Sequence, residues 1–325
     1  MSAAHASPVA PRPLLDGVFK LRFKALGTHC QVQFRAPDIS AARAYRESAL
    51  AWIREFESMF SRFRPDSLLS RVNAAAGSSP TPIPPVFEHL LDLGTRVFEL
   101  SEEINDGTSL PLTQLWNDAA RDQRLPTRTE LEEKRRLVGW SRIERGPGWV
   151  RLPQQGMALD FGGFGKEFAV DRLVHMANQH GITDTLVDLG RDIATQGRPA
   201  DQPAWVVGIE DATRGDRVLT RVLVSGQAVA SSGNYRRFRV INGKQYGHLI
   251  DPRSGEPADT SVGAVTCIAR HCLTAGIFCQ AAFILGETEG LRLLEAQRDV
   301  AGLIQSSTRT HRTRLFARHE IPHSH

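Results

Sequence analysis

The dipeptide Asn242–Gly243 constrains the fold of this 325-residue chain more than any other feature. It lies between two alternating runs of apolar and polar residues, 235–241 and 244–250. Both central positions of a type I′ turn need positive φ, which asparagine and glycine tolerate. The sequence therefore predicts an antiparallel hairpin that ends beside His248 and Asp251. Side chains at a strand end and in the following turn can face a ligand.

A glycine-rich turn ahead of a helix is the second informative feature. Residues 159–166 are Leu-Asp-Phe-Gly-Gly-Phe-Gly-Lys, and an apolar stripe from Ala169 predicts a helix that stops at Gly181. Glycines at a helix N-terminus let backbone N–H groups approach an anion, and the helix dipole favours negative charge there. Lys166 opposes that dipole, so we expect it to serve a ligand. The segment predicts a phosphate site, although its spacing matches neither the Walker pattern nor the dinucleotide fingerprint.

These two segments resemble the FAD:protein FMN transferase (ApbE) family. Further resemblance extends in the same order over roughly residues 20–308, in segments 23–28, 60–73, 112–116, 186–192 and 228–235. The resemblance implies an Mg-dependent transferase that binds FAD, cleaves its pyrophosphate and transfers FMN to a Ser or Thr hydroxyl of an acceptor flavoprotein. In such phosphoryl transfer, positioning and charge neutralisation carry most of the catalysis.

The resemblance also implies roles for individual residues. His248 and Asp251 are expected in catalysis, and Phe63 is expected to stack on the flavin nucleotide. The remaining residues expected to bind FAD are Leu26, Gly27, Thr28, Thr108, Ser109, Leu110, Asp160, Lys166, Arg191, Ser232, Gly233 and Ile250.

The chain departs from the family at the metal site. Family members carry an aspartate, often a second aspartate, and a threonine on the helix after the hairpin, where this chain has Gly276, Cys279 and Gln280. The other family ligand falls at Gly163, through its backbone carbonyl. Mg²⁺ needs hard oxygen donors, and a neutral amide with a soft sulfur is a poor replacement. The sequence therefore predicts a degenerate metal site at Gly163, Gly276 and Gln280.

Further departures leave the activity open. Leu110 and Leu112 stand where the family has aspartate and threonine, Glu167 replaces a glycine after the lysine, and Arg191 replaces a glycine. Arg191 could contact the pyrophosphate and stand in for a cation, whereas Glu167 could rebuild a metal site from another side. The alternatives are a catalytically silent or weak FAD-binding paralogue, an FAD pyrophosphatase, and an interaction subunit that has lost flavin binding.

Composition limits the possible partners. With 41% hydrophobic and 23% charged residues the chain has the composition of a soluble globular protein. A net charge of +4, with both signs interspersed, does not indicate a nucleic-acid partner. No signal peptide, lipobox cysteine or membrane-spanning run is visible, so the sequence predicts a cytoplasmic location without membrane insertion.

Periodicity predicts a mixed α/β (α+β) fold, a single catalytic unit with two lobes around a flavin-nucleotide cleft. This unit is expected over residues 19–318, between a flexible tail 1–18 and a C-terminal tail 319–325. Helices are predicted near 40–60, 86–102, 166–180 and 273–285. Strands are predicted near 19–35, 185–189, 204–210, 217–224, 235–250 and 262–269, with short ones around Trp149 and Met157 and a last one at 312–317. Residues 117–137 are predicted to be loop-like.

Overall fold

The structure is a computed structural model that describes residues 12–13, 17–214, 217–258 and 261–321. Its helices are α1 (Ile39–Phe60), α2 (Leu68–Ala74), α3 (Pro85–Leu100), α4 (Leu110–Arg121), α5 (Arg128–Arg135), α6 (Gly165–Gln179) and α7 (Cys272–Glu295). Its strands are β1 (Arg12–Pro13), β2 (Val18–Ala25), β3 (Thr28–Arg35), β4 (Thr81–Pro82), β5 (Glu144–Gly146), β6 (Trp149–Arg151), β7 (Asp184–Leu189), β8 (Asp192–Gln196), β9 (Trp205–Glu210), β10 (Val218–Val224), β11 (Ala228–Gly233), β12 (Phe238–Ile241), β13 (Lys244–Gly247), β14 (Val262–Ala269), β15 (Ala301–Ser306) and β16 (Thr310–Arg312).

A nine-stranded sheet with the order β1-β2-β3-β7-β8-β11-β14-β15-β16 forms the centre of the molecule. Neighbouring strands in it are antiparallel, and β3 pairs with β7 although α1 to α6 separate them in the chain. Three small sheets accompany it: β9 with β10, β12 with β13, and β4-β6-β5. Helices and strands are thus mixed as the sequence predicts.

Helices α1 and α6 cover one part of the sheet. Apolar residues of β2, β3 and β7 form a core with the buried faces of these helices, including Tyr45 and Leu173. The hydroxyl of Tyr45 donates to the backbone carbonyl of Leu173 over 3.0 Å, which ties the two helices together inside this core. Burial without such a partner would make the phenol costly to place there.

Helix α7 packs against β14 and β15, and its residues are buried around most of its circumference. An apolar helix without a polar face is expected to lie in a core. The carboxylate of Asp171 on α6 accepts the backbone N–H groups of Cys272 at 2.8 Å and Leu273 at 3.0 Å. These bonds satisfy two free donors at the start of α7 and fix its position relative to α6.

The Asn242–Gly243 hairpin is confirmed. Asn242 has φ 49° and Gly243 has φ 78°, and Ile241 pairs with Lys244 across the turn. Its strands are shorter than predicted, because β12 begins at Phe238 and β13 ends at Gly247. His248 therefore follows the hairpin directly.

Several local predictions are wrong. Residues 117–137 are not loop-like, because they contain the end of α4 and all of α5. A capping box at the start of α5 explains this helix: Thr127 accepts from the Glu130 backbone while Glu130 accepts from the Thr127 backbone. Met157 is outside any strand. The predicted last strand is replaced by β16 and a 3-10 turn at Phe316–Arg318.

The two chain ends differ from the predicted tails where they are described. Most of residues 1–18 lies outside the described residues, but Arg12 and Pro13 pair with Lys20 and Phe19. At the other end, the carbonyl of His319 accepts from Leu223 N at 2.8 Å, and Ile321 N donates to the Arg221 carbonyl at 2.9 Å. The ordered unit thus continues beyond 318. No helix in the described part of the chain is long and apolar enough to span a membrane.

Candidate active site

A cavity of about 880 Å³ brings distant parts of the chain together. It is lined by the β2–β3 turn, the end of α1, the glycine-rich turn before α6, the ends of β7 and β11, and the residues on both sides of the hairpin. Its volume is within the range of about 300–1,000 Å³ that is common for small-molecule sites. The cavity wall carries both charged and aromatic side chains.

The glycine-rich turn forms one wall of this cavity. Asp160 accepts from Gly162 N at 2.9 Å and pairs with Arg62 Nε at 2.9 Å, which holds the turn in place. Gly163 and Gly165 follow in the wall, so backbone groups at the start of α6 border the cavity. The partial positive charge of a helix N-terminus at this place favours an anionic ligand.

Lys166 in the first turn of α6 forms an ion pair with Asp192 at the start of β8. Asp192 is buried, whereas Lys166 is only half-buried and lines the cavity. Nearby, burial raises the pKa of Asp188, which also lines the cavity. The buried carboxylate of Asp192 thus holds Lys166 in the cavity wall. This ion pair explains why a lysine stands at a helix N-terminus, where its charge does not stabilise the helix.

His248 is held in the cavity as a neutral imidazole. Burial lowers its pKa to about 4, and the positive charges of Arg237 and Arg239 act in the same direction. Its Nδ1 lies 3.0 Å from the Arg237 carbonyl. A carbonyl only accepts, so Nδ1 carries the proton and Nε2 keeps its lone pair. Such an imidazole can act as a general base.

Arginines give the cavity much of its positive charge. Arg237 and Arg239 alternate along the segment that enters the hairpin, and both line the cavity. Arg239 donates to Asn117 Oδ1 at 2.8 Å and to the Gly247 carbonyl at 3.0 Å. Burial lowers its pKa to about 10, which leaves the guanidinium charged near neutral pH. These planar cations suit phosphate oxygens.

Phe63 presents an aromatic ring at the cavity. Its side chain is exposed to 80%, and the guanidinium carbon of Arg62 lies 4.2 Å from the ring centroid. An exposed phenylalanine supported from one side by a cation leaves the rest of its ring free for a planar ligand. This position agrees with the stacking role expected for Phe63.

Most of the expected site residues line this cavity. They are Leu26, Gly27, Thr28, Phe63, Ser109, Asp160, Gly163, Lys166, Arg191, Ser232, Gly233, His248, Ile250 and Gln280. The folded chain thus brings together residues from eight segments of sequence that the resemblance singled out.

Asp251 is not part of the cavity wall, so the catalytic role expected for it is not supported by its position. Its carboxylate is held by Arg253, whose Nη2 lies 2.8 Å from Oδ2 and whose backbone N–H donates to Oδ1 at 2.8 Å. The Asp251 carbonyl accepts from Gly255 N at 2.8 Å. Asp251 therefore stabilises the turn that follows His248.

Thr108 and Leu110 are also absent from the cavity wall, contrary to the expected FAD contacts. Both are buried. The Thr108 hydroxyl bonds to Asp106 Oδ1 at 2.5 Å and accepts from Gly139 N at 2.7 Å, so its polar group is used inside the fold. Leu110 begins α4, and its side chain is only 3% exposed. This burial agrees with an aliphatic side chain that packs in the interior.

Arg191 lines the cavity, but its guanidinium already has a partner. Its Nε lies 3.1 Å from Glu210 Oε1, and its backbone N–H donates to Asp188 Oδ1 at 2.7 Å. Its φ of +77° is in the left-handed region, which explains why the resembling family has a glycine here. Contact between Arg191 and a pyrophosphate remains a prediction.

The predicted metal positions are only partly suited to a metal. Gly276 is buried, outside the cavity wall and without a side chain. Cys279 turns away to donate to the Val265 carbonyl at 3.0 Å, and its sulfur accepts from Ser232 N. Gln280 faces Gly163, because a Cβ on that glycine would lie 3.3 Å from both amide atoms of Gln280.

Glu167 adds a carboxylate beside these positions. It borders the cavity, burial raises its pKa, and its Oε2 is buried without a hydrogen-bond partner among the described residues. No group of three or more His, Cys, Asp or Glu side chains in the described residues could hold a metal. A mixed set of one carboxylate, one amide oxygen and one backbone carbonyl nevertheless supplies hard oxygen donors, which fit Mg²⁺.

Sequence reasoning missed several residues of the wall. Arg62, Asp106, Asn117, Arg237 and Arg239 line the cavity but were not singled out. The period-two spacing of Arg237 and Arg239 puts them on one side of an extended segment, which was a readable signal. Asn117 had no such signal, because only the packing of α4 beside the hairpin brings it to Arg239.

Comparison with known proteins assigns the chain to a family. The model of the ApbE family matches residues 26–304. The chain belongs to the ApbE family. Curated relatives are the FAD:protein FMN transferases of Treponema pallidum, 30% identical over 83% of this chain and 79% of that protein, and of Vibrio cholerae, 26% identical over 84% and 83%.

Solved ApbE structures have the same fold. An ApbE protein from Thermotoga maritima is 26% identical, with a TM-score of 0.85 over 94% of this chain and 100% of that chain. The flavin transferase ApbE from Vibrio cholerae, at 24% identity, has a TM-score of 0.82 over 93% of this chain and 99% of that one. The mixed α/β ApbE fold expected from the sequence is thereby confirmed.

Proposed function

We propose that this chain is an FAD:protein FMN transferase. The observation that carries the proposal is the cavity, whose wall combines a helix N-terminus, Lys166 and several arginines with an uncharged histidine. Its relatives with that activity by name match the chain over most of their length. An interaction subunit without flavin would have no need to keep this set of residues in one cavity.

The charged and planar groups of FAD match the groups in the cavity wall. Its pyrophosphate carries negative charge that the start of α6, Lys166, Arg237 and Arg239 can neutralise. Its planar ring systems offer a face to the exposed ring of Phe63. We therefore assign anion binding to the glycine-rich turn and the arginine-bearing hairpin, and stacking to Phe63.

The reaction follows from the placement of His248. The Ser or Thr hydroxyl of an acceptor flavoprotein forms a new O–P bond to the FMN phosphorus. The bond between that phosphorus and the bridging oxygen of the pyrophosphate breaks, and AMP leaves with the bridging oxygen on its phosphate. The hydroxyl proton passes to Nε2 of His248, whose lone pair is available. Nearby cations stabilise the charge that develops on the phosphate oxygens.

A divalent cation, held by Gly163, Gln280 and Glu167, would neutralise phosphate charge in this site. The chain's own residues keep the remaining tasks. Lys166 and the arginines orient the pyrophosphate, and the hairpin positions His248, which directly follows it.

The test is covalent flavin transfer in vitro. The purified chain is incubated with FAD, Mg²⁺ and an acceptor protein of one of the curated transferases, and intact mass spectrometry follows the acceptor. We expect a mass increase equal to FMN minus water, and its loss in His248→Ala. A chain that binds FAD without transfer would instead be the silent paralogue. FMN and AMP release without modification of the acceptor would identify a pyrophosphatase, and no FAD binding would refute the proposal.

A further inference from the structure

Glu167 occupies the space that a side chain at position 276 would need. A Cβ added to Gly276 would lie 2.7 Å from Cγ of Glu167 and 3.3 Å from its Cδ and Oε1. A contact below 3.0 Å forces one of the partners to move. Glu167 in this conformation therefore leaves no room for a side chain at 276, and an aspartate at 276 would require the Glu167 side chain to move.

The facing positions on the two segments have a regular spacing. Gly163 faces Gln280, Glu167 faces Gly276, and Asp171 contacts the N–H of Cys272. Each step is four residues, forward from the glycine-rich turn into α6 and backward along α7, so the contacts follow one side of each helix. The Glu167 side chain thus fills, from α6, the space beside position 276 of α7.

One oxygen of the Glu167 carboxylate has no hydrogen-bond partner among the described residues. Its Oε2 is buried and makes no hydrogen bond with the described residues. Lys166, the adjacent cation, pairs with Asp192. An unpaired buried carboxylate oxygen is costly, and most such oxygens in proteins are bonded to a donor or a metal. Glu167 lies in the cavity wall that also carries Gly163 and Gln280.

We propose that Glu167 is the carboxylate ligand of a divalent-cation site completed by the Gln280 amide oxygen and the Gly163 backbone carbonyl. Mg²⁺ is commonly bound by one or two carboxylates together with water and substrate phosphates, and this donor set suits that pattern. The role of the cation beside phosphates rests on the proposed function, but cation binding itself can be measured without turnover.

The first experiment measures Mn²⁺ as a probe for Mg²⁺. The free Mn²⁺ signal in electron paramagnetic resonance gives the affinity of the full chain, with and without FAD, and added Mg²⁺ should displace the bound Mn²⁺. Glu167→Gln keeps the side-chain shape and removes the charge, and it should weaken Mn²⁺ binding about tenfold or more. Glu133→Gln, an exposed glutamate on α5, is the matched control and should bind as the unmodified chain does.

The second experiment moves the carboxylate. Gly276→Asp alone should lower the melting temperature, because its Cβ collides with Glu167. Glu167→Ala alone should lose Mn²⁺ affinity. The double variant Glu167→Ala with Gly276→Asp should recover both the melting temperature and most of the Mn²⁺ affinity, since it removes the collision and returns one carboxylate to the site.

Unchanged Mn²⁺ affinity in Glu167→Gln overturns the proposal, and so does the absence of Mn²⁺ binding by the unmodified chain in either condition. A well-folded double variant that recovers no affinity also contradicts it, and if that variant does not fold, Glu167→Gln decides. Quenching of flavin fluorescence without metal reports FAD binding separately. Failure of FAD binding would therefore reject the proposed function while the Mn²⁺ titrations still judge Glu167.

Discussion

At the scale of single residues, the surroundings of His248 set its protonation. The same side chain in an unfolded chain titrates near pH 6.5, whereas burial holds its pKa at about 4 in the folded protein. Its hydrogen bond to the Arg237 carbonyl fixes which nitrogen keeps the proton. Burial and one backbone contact together turn an ordinary histidine into a base with a defined tautomer.

His248 should therefore make stability depend on pH in a defined direction. Between about pH 6.5 and pH 4 the unfolded chain binds this proton and the folded chain does not, so protonation favours unfolding as the pH falls. Urea unfolding across this range should show a decline that is shallower in His248→Gln. Nuclear magnetic resonance of the ligand-free protein should show the His248 ring titrating near pH 4, and a midpoint near 6.5 would contradict the assignment.

Phe63 tests the stacking role at the same scale. Phe63→Ala should weaken FAD binding by about 1–3 kcal/mol, the range for an aromatic partner of a stacked base. Isothermal titration with FAD measures the loss. Phe238→Ala removes another exposed phenylalanine, on β12 and outside the cavity wall, and is expected to leave the affinity unchanged. Equal losses in both variants would argue against stacking on Phe63.

At the scale of elements, the contact between α6 and α7 organises the site. The glycine-rich turn and the side chains of Gln280 and Glu167 meet only if the two helices keep their relative position. Asp171 holds that position by accepting two backbone N–H groups at the start of α7. Burial raises the pKa of this carboxyl despite those bonds, because its charged form has lost water.

Asp171→Ala should destabilise the fold by about 1–2 kcal/mol, the usual cost of removing a helix cap. Thermal and urea unfolding measure this loss. Asp201→Asn, at an exposed turn, serves as the control and should have little effect. If Asp171 also positions the cation ligands, Mn²⁺ affinity in a still-folded Asp171→Ala protein should fall. Unchanged stability would show that α7 does not depend on this cap.

At the scale of the whole molecule, the cavity depends on parts of the chain that sequence order keeps apart. Strand pairing between β3 and β7 and between β11 and β14 brings the β2–β3 turn, Lys166, Asp188 and Ser232 to one place. The last described residues contribute to the same body, because His319 and Ile321 bond to the outer strand β10.

A truncation tests the extent of this body. A chain ending at Arg318 loses the two backbone hydrogen bonds to β10 and the ion pair between Arg312 and Glu320. Since a backbone hydrogen bond contributes about 0.5–1.5 kcal/mol, we expect a measurably lower free energy of unfolding than in a chain ending at Ile321. Equal stability of the two chains would support the tail boundary at 318 that the sequence suggested.

The sequence by itself determined the features whose causes are local. The hairpin at Asn242–Gly243 needs only two residues that accept positive φ, and the start of α6 needs only its glycines and the apolar stripe that follows. The start of helix α5 is equally local, because its capping box needs only Thr127 and Glu130. The family and its mixed α/β fold could be predicted for the same reason, because the resemblance consists of short local segments in a fixed order.

Tertiary structure decided which side chains meet. Asp251 and His248 are three positions apart, yet the Asp251 carboxylate pairs with Arg253 outside the cavity wall while His248 lines the cavity. Glu167 and Gly276 show the same limit, because nothing in either local sequence states that one fills the space of the other. Such pairings are long-range contacts between packed helices, and only the folded chain brings them within van der Waals distance.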